Sequence, residues 1–518
     1  MVELMLVDNF SLKVIGVVSD VQHNFLQGLG GKLQPDGTIL VSRDRYPQLA
    51  SHFQTNIPEA LLEFKAVNSS TAKDVYQQLP FVLKHYQMDT VDFILGNSRV
   101  LLALACGLGK TLCTIASIMI LRKTNPTMRT LCVVPSVLKD TWLQECAKWT
   151  EWPVIVIKNG KEIPKVNTSN FVVIGYSLLS KHYSAITSKF DVLVGDEAHY
   201  LKHIKSARAQ AFFNLSQKVN KVILLTATPA ETHENLYNLL RILNPVMFRY
   251  FHHYQFYTPK TQKFYFADRY CIPEPVFTGR GRKSLVFNKS QRSSELRYIC
   301  SNCMISFGKE QLSLPPLIKK EVVVGELEVT QKLHVKDKLK EIDKKRKKNK
   351  NAADHELMAL MREVAVWKEP FVIQQFEETH LADDGPTIVF TASLRLQSTL
   401  EEYFLRKGVP TIVINGQVNM KHRTILLHRL SLQKTCSVGL LSLHCCAAGL
   451  NLGWAKASIF VETLFDSVIL KQAESRVHRL GCGDEPIHLT TFILLGGLDQ
   501  LLKFSVNKKR KVSDLLLK

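Results

Sequence analysis

Acidic residues are few in this sequence relative to basic ones. The chain of 518 residues holds 46 Asp and Glu against 67 Lys and Arg, which gives a formal charge of +21 at pH 7. Such an excess favours a polyanionic partner, with nucleic acid as the first candidate and an acidic membrane surface as the second. The plainer alternative is that the charge only confers solubility. Hydrophobic residues at 46% and charged residues at 22% exclude a disordered or fibrous chain.

A secretory signal, a regular cysteine spacing and an internal repeat are also missing. The first residues show no basic segment followed by a long apolar core, so we expect no signal peptide. The eleven cysteines are scattered, which predicts reduced intracellular thiols. Cys300 and Cys303 have the spacing of zinc ligands, but a tetrahedral site needs about four ligands and no second close pair follows. Metal binding by this pair stays an open alternative.

One apolar run, from Val100 to Leu121, is long enough to cross a bilayer, and only Lys110 in it is charged. A membrane helix tolerates a charge least at its centre. The letters around Lys110, GLGKT, are typical of the end of a phosphate-binding loop. We therefore predict a buried strand, a turn and a buried helix here, and no membrane partner.

Short apolar runs alternate with helical stretches from about residue 70, as in RVLLALA and FDVLVGDE, and again after residue 385, as in PTIVFTA and VGLLSLH. Such runs are typical of parallel strands that helices cover on both faces. We predict an α/β protein with two parallel-sheet lobes, preceded by a small α+β module. The divisions are an accessory module with substrate recognition as a candidate role (1–68), a first lobe (69–250), a basic and aromatic insertion with linker helices (251–368), a second lobe (369–495) and a basic helix (496–518).

The GLGKT segment predicts a phosphate site. Gly107 and Gly109 let the backbone close on a phosphate, and N–H groups of the turn would point at its oxygens. Lys110 would reach the terminal phosphates and the Thr111 hydroxyl would bind Mg²⁺. The strict pattern has glycine where this chain has Leu104, so a buried apolar hairpin is the alternative.

An acidic pair ends a later buried strand, in FDVLVGDEAH. Asp196 can hold Mg²⁺ through water, and Glu197 can orient and deprotonate an attacking water. The alternative is a carboxylate pair that caps a helix. A third strand ends in Thr226 and Thr228, whose hydroxyls can couple a nucleotide site to a neighbouring surface.

The second lobe carries two further motifs. Small residues up to Gly449, which is a further predicted coupling residue, follow a strand and allow close approach of another backbone or of the other lobe. Arg476 and Arg479 lie three apart on one helical face, where they can stabilise charge on a phosphate held by the first lobe. The alternative is a solvated basic helix face.

Taken in order, KHYQ with Gln87, GLGKT, DEAH, LLTATP, AAGLNL and QAESRVHRLG resemble the Swi/Snf-like branch of the superfamily-two helicases over roughly residues 75–515. The segments FADRYC and ETLFDSVILKQAESRVHRLG are most similar to the annealing helicases, the HepA-related group.

This resemblance implies two RecA-like lobes that form a helicase motor, with ATP and Mg²⁺ as cofactors. It implies translocation on double-stranded DNA, usually without strand separation. Gln87 would contact the adenine, Thr111 and Asp196 would bind Mg²⁺, and Arg476 and Arg479 would be the arginine fingers. The implied ATP-binding set is Gln87, Gly107, Leu108, Gly109, Lys110, Thr111 and Gln472.

Three features depart from the family's pattern. Ala105 and Cys106 stand where many members have an acidic residue before the phosphate loop, and Cys482 replaces the glutamine that closes the last motif. A basic element that couples hydrolysis to DNA in the family is replaced by MISFGKEQ, residues 304–311.

The sequence thus predicts a DNA-dependent ATPase that remodels or anneals DNA at replication forks or in repair. The alternatives are a remodeller of nucleosomes or other protein–DNA complexes or a transcription regulator, of cellular or viral origin, and a DNA-binding scaffold with a decayed motor. Double-stranded or forked DNA is the expected partner, with nucleosomes and replication or repair proteins as further candidates. Basic stretches at 280–292 and 344–350 are candidate DNA contacts. The runs at 344–350 and 507–512 are typical of nuclear import signals and predict a nuclear location.

Overall fold

The computed structural model describes most of the chain. The described residues are 3–6, 11–15, 19–28, 31–42, 49, 73–187, 189–229, 233–244, 266, 270–278, 282–290, 292–348, 350–378, 381, 385–448, 450–455, 457–462, 464, 467–479, 482–483 and 485–502. The predicted coupling residue Gly449 and the basic run at 507–512 lie outside them.

The N-terminal residues form a small antiparallel sheet and one helix, as the sequence predicts. The elements are β1 (Glu3–Leu6), β2 (Ser11–Ile15), α1 (Asp20–Gly28), β3 (Lys32–Leu33) and β4 (Ile39–Ser42). The strand order is β1-β2-β4-β3, and every pairing is antiparallel. Buried apolar side chains of this module continue into the core of the first lobe.

A tight turn joins β3 to β4. Gly37 adopts a left-handed conformation with φ of +78°, which glycine reaches without a steric penalty. The Thr38 hydroxyl donates to Asp36 Oδ1 at 2.6 Å and so fixes the turn from within. The Pro-Asp-Gly letters of the sequence account for this hairpin.

Residues 73–244 build most of the first lobe. Its strands β5 to β10 are Arg99–Leu104, Thr130–Val134, Val154–Val156, Phe171–Gly175, Val192–Gly195 and Lys221–Leu225. Its helices α2 to α8 are Lys73–Gln77, His85–Gly96, Lys110–Thr124, Lys139–Trp149, Tyr176–His182, Ala207–Ser216 and His233–Leu243. Strands β6, β8 and β9 are buried along their whole length, which explains their uninterrupted apolar letters.

The segment after residue 270 completes this sheet. It contains the antiparallel hairpin β11 (Cys271–Thr278) and β12 (Arg282–Ser290), helix α9 (Ser293–Ser301) and strand β13 (Met304–Phe307). Strand β13 pairs with β5 in parallel, opposite the start of the phosphate loop. The sheet order is β13-β5-β10-β9-β6-β8-β7, and all its pairings are parallel.

The second lobe is also a parallel sheet between helices. Its strands β14 to β19 are Leu317–Glu326, Pro386–Thr391, Thr411–Ile414, Ser437–Ser442, Ala457–Phe460 and Ile487–Leu495. Its helices α10 to α14 are Val329–Lys348, Lys350–Glu378, Leu394–Arg406, Met420–Ser431 and Ser467–Val477. The sheet order is β14-β19-β18-β15-β17-β16, and all pairings are parallel.

Two strands within residues 251–368 belong to the sheets of the two lobes, whereas the sequence predicts an insertion and linker helices for this segment. Within this segment, expected to be an insertion and linker, β13 joins the sheet of the first lobe and β14 joins that of the second. Strand β13 pairs with β5 and β14 pairs with β19, and both partner strands are distant in the sequence. The local sequence therefore does not predict these pairings. The predicted helix at 496–518 is described only as far as residue 502, where Leu498 and Leu502 are buried in the second lobe.

The apolar run from Val100 to Leu121 divides as predicted. Strand β5 ends at Leu104 and helix α4 begins at Lys110, so the charged residue lies at a turn between two buried elements. Among the helices that the structure describes, none combines the length and the apolarity that a membrane span needs.

Candidate functional site

The turn between β5 and α4 has the conformation that a phosphate loop requires. Gly107 and Gly109 have φ angles of +90° and +83°, a region that side chains disfavour. A Cβ on Gly109 would lie 2.6 Å from Gln87 Nε2, so no side chain fits there without displacing Gln87. Gly109 is also the N-cap of α4, whose first N–H groups and positive dipole end face the turn.

Gln87, on helix α3, supports this turn from behind. Its side chain is buried, and Nε2 donates to the carbonyl of Leu108 at 3.1 Å while Oε1 accepts from Lys84 N at 2.9 Å. The structure therefore places Gln87 and the turn together, as the motif predicts, through a contact with the backbone of Leu108. Contact with an adenine stays a prediction.

Lys110 and Thr111 open helix α4. The Lys110 ammonium folds back over the turn, donating to Leu104 O at 2.9 Å and to Ala105 O at 3.4 Å. Thr111 follows on the same first turn of the helix and is half-buried. Both side chains thus lie at the carboxyl end of the strands, where α/β sheets bind their ligands.

Asp196 lies just past the end of β9 and is almost completely buried. Trp142 Nε1 donates to its Oδ2 at 2.8 Å, and the Glu197 amide donates to its Oδ1 at 2.8 Å. Burial raises the pKa of Asp196 to about 6, with the neighbouring charge of Glu197 as a second cause, and the bond from Trp142 opposes both. The carboxylate is therefore fixed in orientation by two donors.

Glu197 adopts an unusual backbone conformation, with φ of +50° and ψ of +54°. Such strain in a non-glycine residue occurs mostly at functional sites, where the surrounding fold imposes it. Burial alone would raise the pKa of this carboxyl, but a hydrogen bond from His199 lowers it. The positive charges of Lys110 and Arg476 add to that effect, so the pKa lies below its usual value.

His199 connects the acidic pair to the end of β10. Its Nδ1 lies 3.2 Å from Glu197 Oε2 and 3.5 Å from Thr226 Oγ1. The Thr226 hydroxyl in turn accepts from Thr228 N at 3.1 Å. The two threonines predicted as coupling residues are therefore linked to the acidic pair through His199, a histidine for which the motif predicts no role.

The second lobe brings Arg479 to the same turn. Arg479 lies against the phosphate loop, because its Cβ would be 4.0 Å from a Cβ added to Gly107. Its Nε is buried and has no hydrogen-bond partner among the described residues. Burial and the charge of Arg476 lower the pKa of Arg479. A buried Nε–H donor without a described partner, on a residue whose Cβ lies against the phosphate loop, suits an anion.

A cleft of about 510 Å³ separates the lobes next to this turn. Ala105, Cys106 and Thr228 line it from the first lobe, and Gln472 and Ser475 line it from α14. Gln472 lines this cleft and is largely buried, and its contact with a nucleotide stays a prediction. Cys106, one of the departures from the family pattern, is thus a wall residue of the cleft.

Together these groups fit a nucleotide with a divalent cation. The turn, Lys110 and Arg479 would supply donors and positive charge for phosphate oxygens, while Thr111 and Asp196 would supply the hard oxygen ligands that Mg²⁺ prefers. Cys300 and Cys303 are different: both are buried, and the described residues contain no group of three potential metal ligands.

Sequence reasoning missed Trp142, His199 and a lysine beyond β13 that reaches the second lobe. Trp142 lies in VPSVLKDTWLQE and His199 in DEAH, so both were visible within motifs, but their partners are not local. The indole of Trp142 and the carboxylate that it holds are 54 residues apart.

Comparison with known proteins agrees with this arrangement. A model of the SNF2-related domain matches residues 79–372, and a model of the helicase conserved C-terminal domain matches residues 368–481.

Two curated relatives match most of the chain. The DNA annealing helicase and endonuclease ZRANB3 of Bos taurus is 27% identical over 87% of this chain and 42% of its own length. The SWI/SNF-related matrix-associated actin-dependent regulator of chromatin subfamily A-like protein 1 of Xenopus laevis is 28% identical over 89% of this chain and 46% of its own length. The chain therefore spans less than half the length of these relatives.

Among solved structures, the Sulfolobus solfataricus SWI2/SNF2 ATPase core in complex with dsDNA matches with 20% identity and a TM-score of 0.39, over 87% of this chain and 96% of that one. Since the first family model by itself matches more than half of the chain, this protein belongs to the SNF2-related family, and it carries a helicase conserved C-terminal domain over residues 368–481.

Proposed function

We propose that the protein is an ATP-dependent translocase on double-stranded DNA, which remodels or anneals DNA at replication forks or in repair. The observation that carries the proposal is Arg479 of the second lobe against the phosphate loop of the first, with its Nε buried and without a partner among the described residues. A site divided between two lobes links each hydrolysis event to a movement of the lobes.

The nucleotide would be held by the first lobe. Backbone N–H groups of the turn, with Lys110, would bind the phosphates, while Gln87 keeps the turn in shape and contacts the adenine. Arg476 and Arg479 would then stabilise the charge that develops on the transferred phosphate.

Hydrolysis would use the acidic pair. Glu197, whose pKa lies below its usual value, is ionised near neutral pH and would accept a proton from the attacking water. Thr111 and Asp196 would hold Mg²⁺, which draws charge from the phosphate oxygens when bound. Thr226 and Thr228, through His199, would pass the state of this pair to the neighbouring surface.

The DNA assignment rests on charge and on the relatives. The formal charge of +21 favours a polyanion that is bound through its phosphates, independently of sequence. One relative is named a DNA annealing helicase and the other a regulator of chromatin. We extend DNA as the substrate, fork remodelling as the role and the nucleus as the location to this chain on that basis, with nucleosomes and repair proteins as further candidate partners.

The decisive experiment is steady-state ATP hydrolysis by the full chain with no DNA, single-stranded, duplex or forked DNA. We expect stimulation by duplex or forked DNA, with a fork preference favouring the annealing role. Lys110→Ala and Glu197→Gln should each lower kcat by about 100-fold or more, because each removes a group that acts on the transition state.

Lys123→Ala is the matched control, because Lys123 lies at the far end of the same helix and bonds to Gln78. It should retain wild-type hydrolysis within about twofold, as surface substitutions usually do. Hydrolysis that is unaffected by DNA and by both site variants would refute the motor and leave a DNA-binding scaffold.

A further inference from the structure

One lysine connects the two lobes beside the finger arginines. Lys309 lies two residues beyond β13, and its ammonium donates to the carbonyl of His478 at 2.9 Å, across 169 residues of sequence. Since β13 belongs to the first sheet and His478 follows α14 of the second lobe, this bond joins the lobes directly.

Lys309 is itself fixed to the phosphate loop. The amide of Ala105, at the start of that loop, donates to Phe307 O at 2.9 Å, and the ring of Phe307 packs on Tyr86 with centroids 5.8 Å apart. The backbone that carries Lys309 is therefore joined to the start of the phosphate loop two residues before Lys309.

His478 is held in one orientation. Its Nε2 lies 2.9 Å from the carbonyl of Pro315 in the linker, so Nε2 carries the proton and Nδ1 is an acceptor. That Nδ1 lies 3.5 Å from Lys309 Nζ, which makes a second, weaker contact with the same ammonium. Burial lowers the pKa of His478, which agrees with a neutral ring.

The carbonyl that Lys309 binds lies at the C-terminal end of α14, which ends at Val477. The last carbonyls of a helix have no partner within the helix, and they carry the negative end of its dipole. A cation from another element therefore stabilises this end, as lysines near helix C-termini often do. His478 lies between Arg476 and Arg479, so the same bond anchors the backbone that carries both arginines.

We propose that Lys309 is a positioning residue, which caps α14 from the opposite lobe and so sets the distance of Arg476 and Arg479 from the phosphate loop. Lys309 touches no part of the nucleotide in this role and acts only through His478. The inference rests on the proposed ATPase function for its catalytic consequence, but not for its structural one.

Lys319 provides a matched control within the same cleft. It bonds to Glu474 of α14 at 2.8 Å, as Lys309 bonds to His478, but it lies on β14 in the same lobe as its partner. A substitution of Lys319 therefore removes a lysine contact to the same helix without breaking a bond between lobes.

The first test is kinetic, with Lys309→Met, Lys309→Arg and Lys319→Met in the full chain. We expect Lys309→Met to lower the DNA-stimulated kcat by about 10- to 100-fold, because displaced finger arginines no longer stabilise the transition state. The KM for ATP and the Kd for Mg·ADP should change by less than about threefold. Lys309→Arg should recover part of kcat because a guanidinium can still bind the carbonyl, and Lys319→Met should equal the wild type.

The second test is hydrogen exchange at residues 476–482, which needs no activity. We expect faster exchange in Lys309→Met than in Lys319→Met, because the end of α14 loses its cap. If the wild type hydrolyses no ATP, the proposed function fails and the exchange result alone decides this inference. Equal exchange and equal kcat in the two Met variants would overturn it. If Lys309→Met does not fold, Lys309→Gln decides by the same criteria.

Discussion

The contact between Trp142 and Asp196 shows how a single residue can prepare a carboxylate for its task. Burial of the Asp196 carboxylate favours its protonated form, and its pKa is raised to about 6. The indole donor holds one oxygen in place and favours the charged form. Trp142 is itself 1% exposed, so water cannot replace it as a donor.

We expect Trp142→Phe to lower kcat for ATP hydrolysis by about tenfold or more, since a hydrogen bond to a charged group contributes about 1.5–3 kcal/mol. The ring shape is largely kept, so the variant should fold. Steady-state hydrolysis at saturating duplex DNA measures the effect.

The control for this prediction is Trp149→Phe. Trp149 lies on the same helix and donates to Glu145 at 3.1 Å, away from the acidic pair. Equal losses in the two variants would mean that Trp142 serves only the packing of α5.

The phosphate loop is the clearest case at the scale of one structural element. Its conformation depends on two left-handed glycines, and at Gly109 a side chain would also collide with Gln87. Gly408, after α12, has a φ of +69° with nothing within 4 Å of an added Cβ. A substitution at Gly408 therefore tests backbone strain alone, whereas a substitution at Gly109 tests strain together with a steric clash.

We expect Gly109→Ala to weaken binding of Mg·ADP by at least about tenfold, because the loop must open to accommodate the methyl group. Gly408→Ala should cost about 1 kcal/mol of stability through strain alone and leave nucleotide binding unchanged. Calorimetric titration and thermal unfolding provide the two readouts. Unchanged ADP binding in Gly109→Ala would contradict the assignment of this turn.

At the scale of the whole molecule, the second lobe depends on a buried ion pair. Lys368 on α11 donates to Asp499 Oδ2 at 2.7 Å and to Phe492 O at 2.8 Å, and both charged side chains are almost completely buried. Asp499 Oδ2 also accepts from Leu494 N, at the end of β19. The pair thus joins the long linker helix to the last strand of the sheet.

We expect Lys368→Met to destabilise the second lobe by about 3–5 kcal/mol, because it leaves the carboxylate of Asp499 buried without its partner. The urea midpoint of the second-lobe transition measures this loss. Lys340→Met, which breaks the exposed pair with Asp337, should leave the midpoint unchanged. A midpoint for Lys368→Met close to that of Lys340→Met would contradict the prediction.

The sequence by itself determined most of the strands and the motifs on which the proposed chemistry depends. Uninterrupted runs of apolar residues indicated the central strands, because a strand that is buried on both faces does not alternate apolar with polar residues. The glycines of GLGKT marked a turn and the acidic pair a strand end, because those conformations and charges are local requirements. The two lobes and the order of their motifs followed from such local signals.

Only the tertiary structure decided how these parts meet. Strand β13 is four residues long and mostly half-buried, so its sequence shows little hydrophobic periodicity. Its place beside β5 depends on pairing with a strand that is distant in the sequence. The same holds for Trp142 on Asp196 and Lys309 on His478, where partners lie 54 and 169 residues apart. A local sequence pattern indicates which side chains of an element are buried, but it does not indicate which element they pack against. These contacts could therefore be seen only in the tertiary structure.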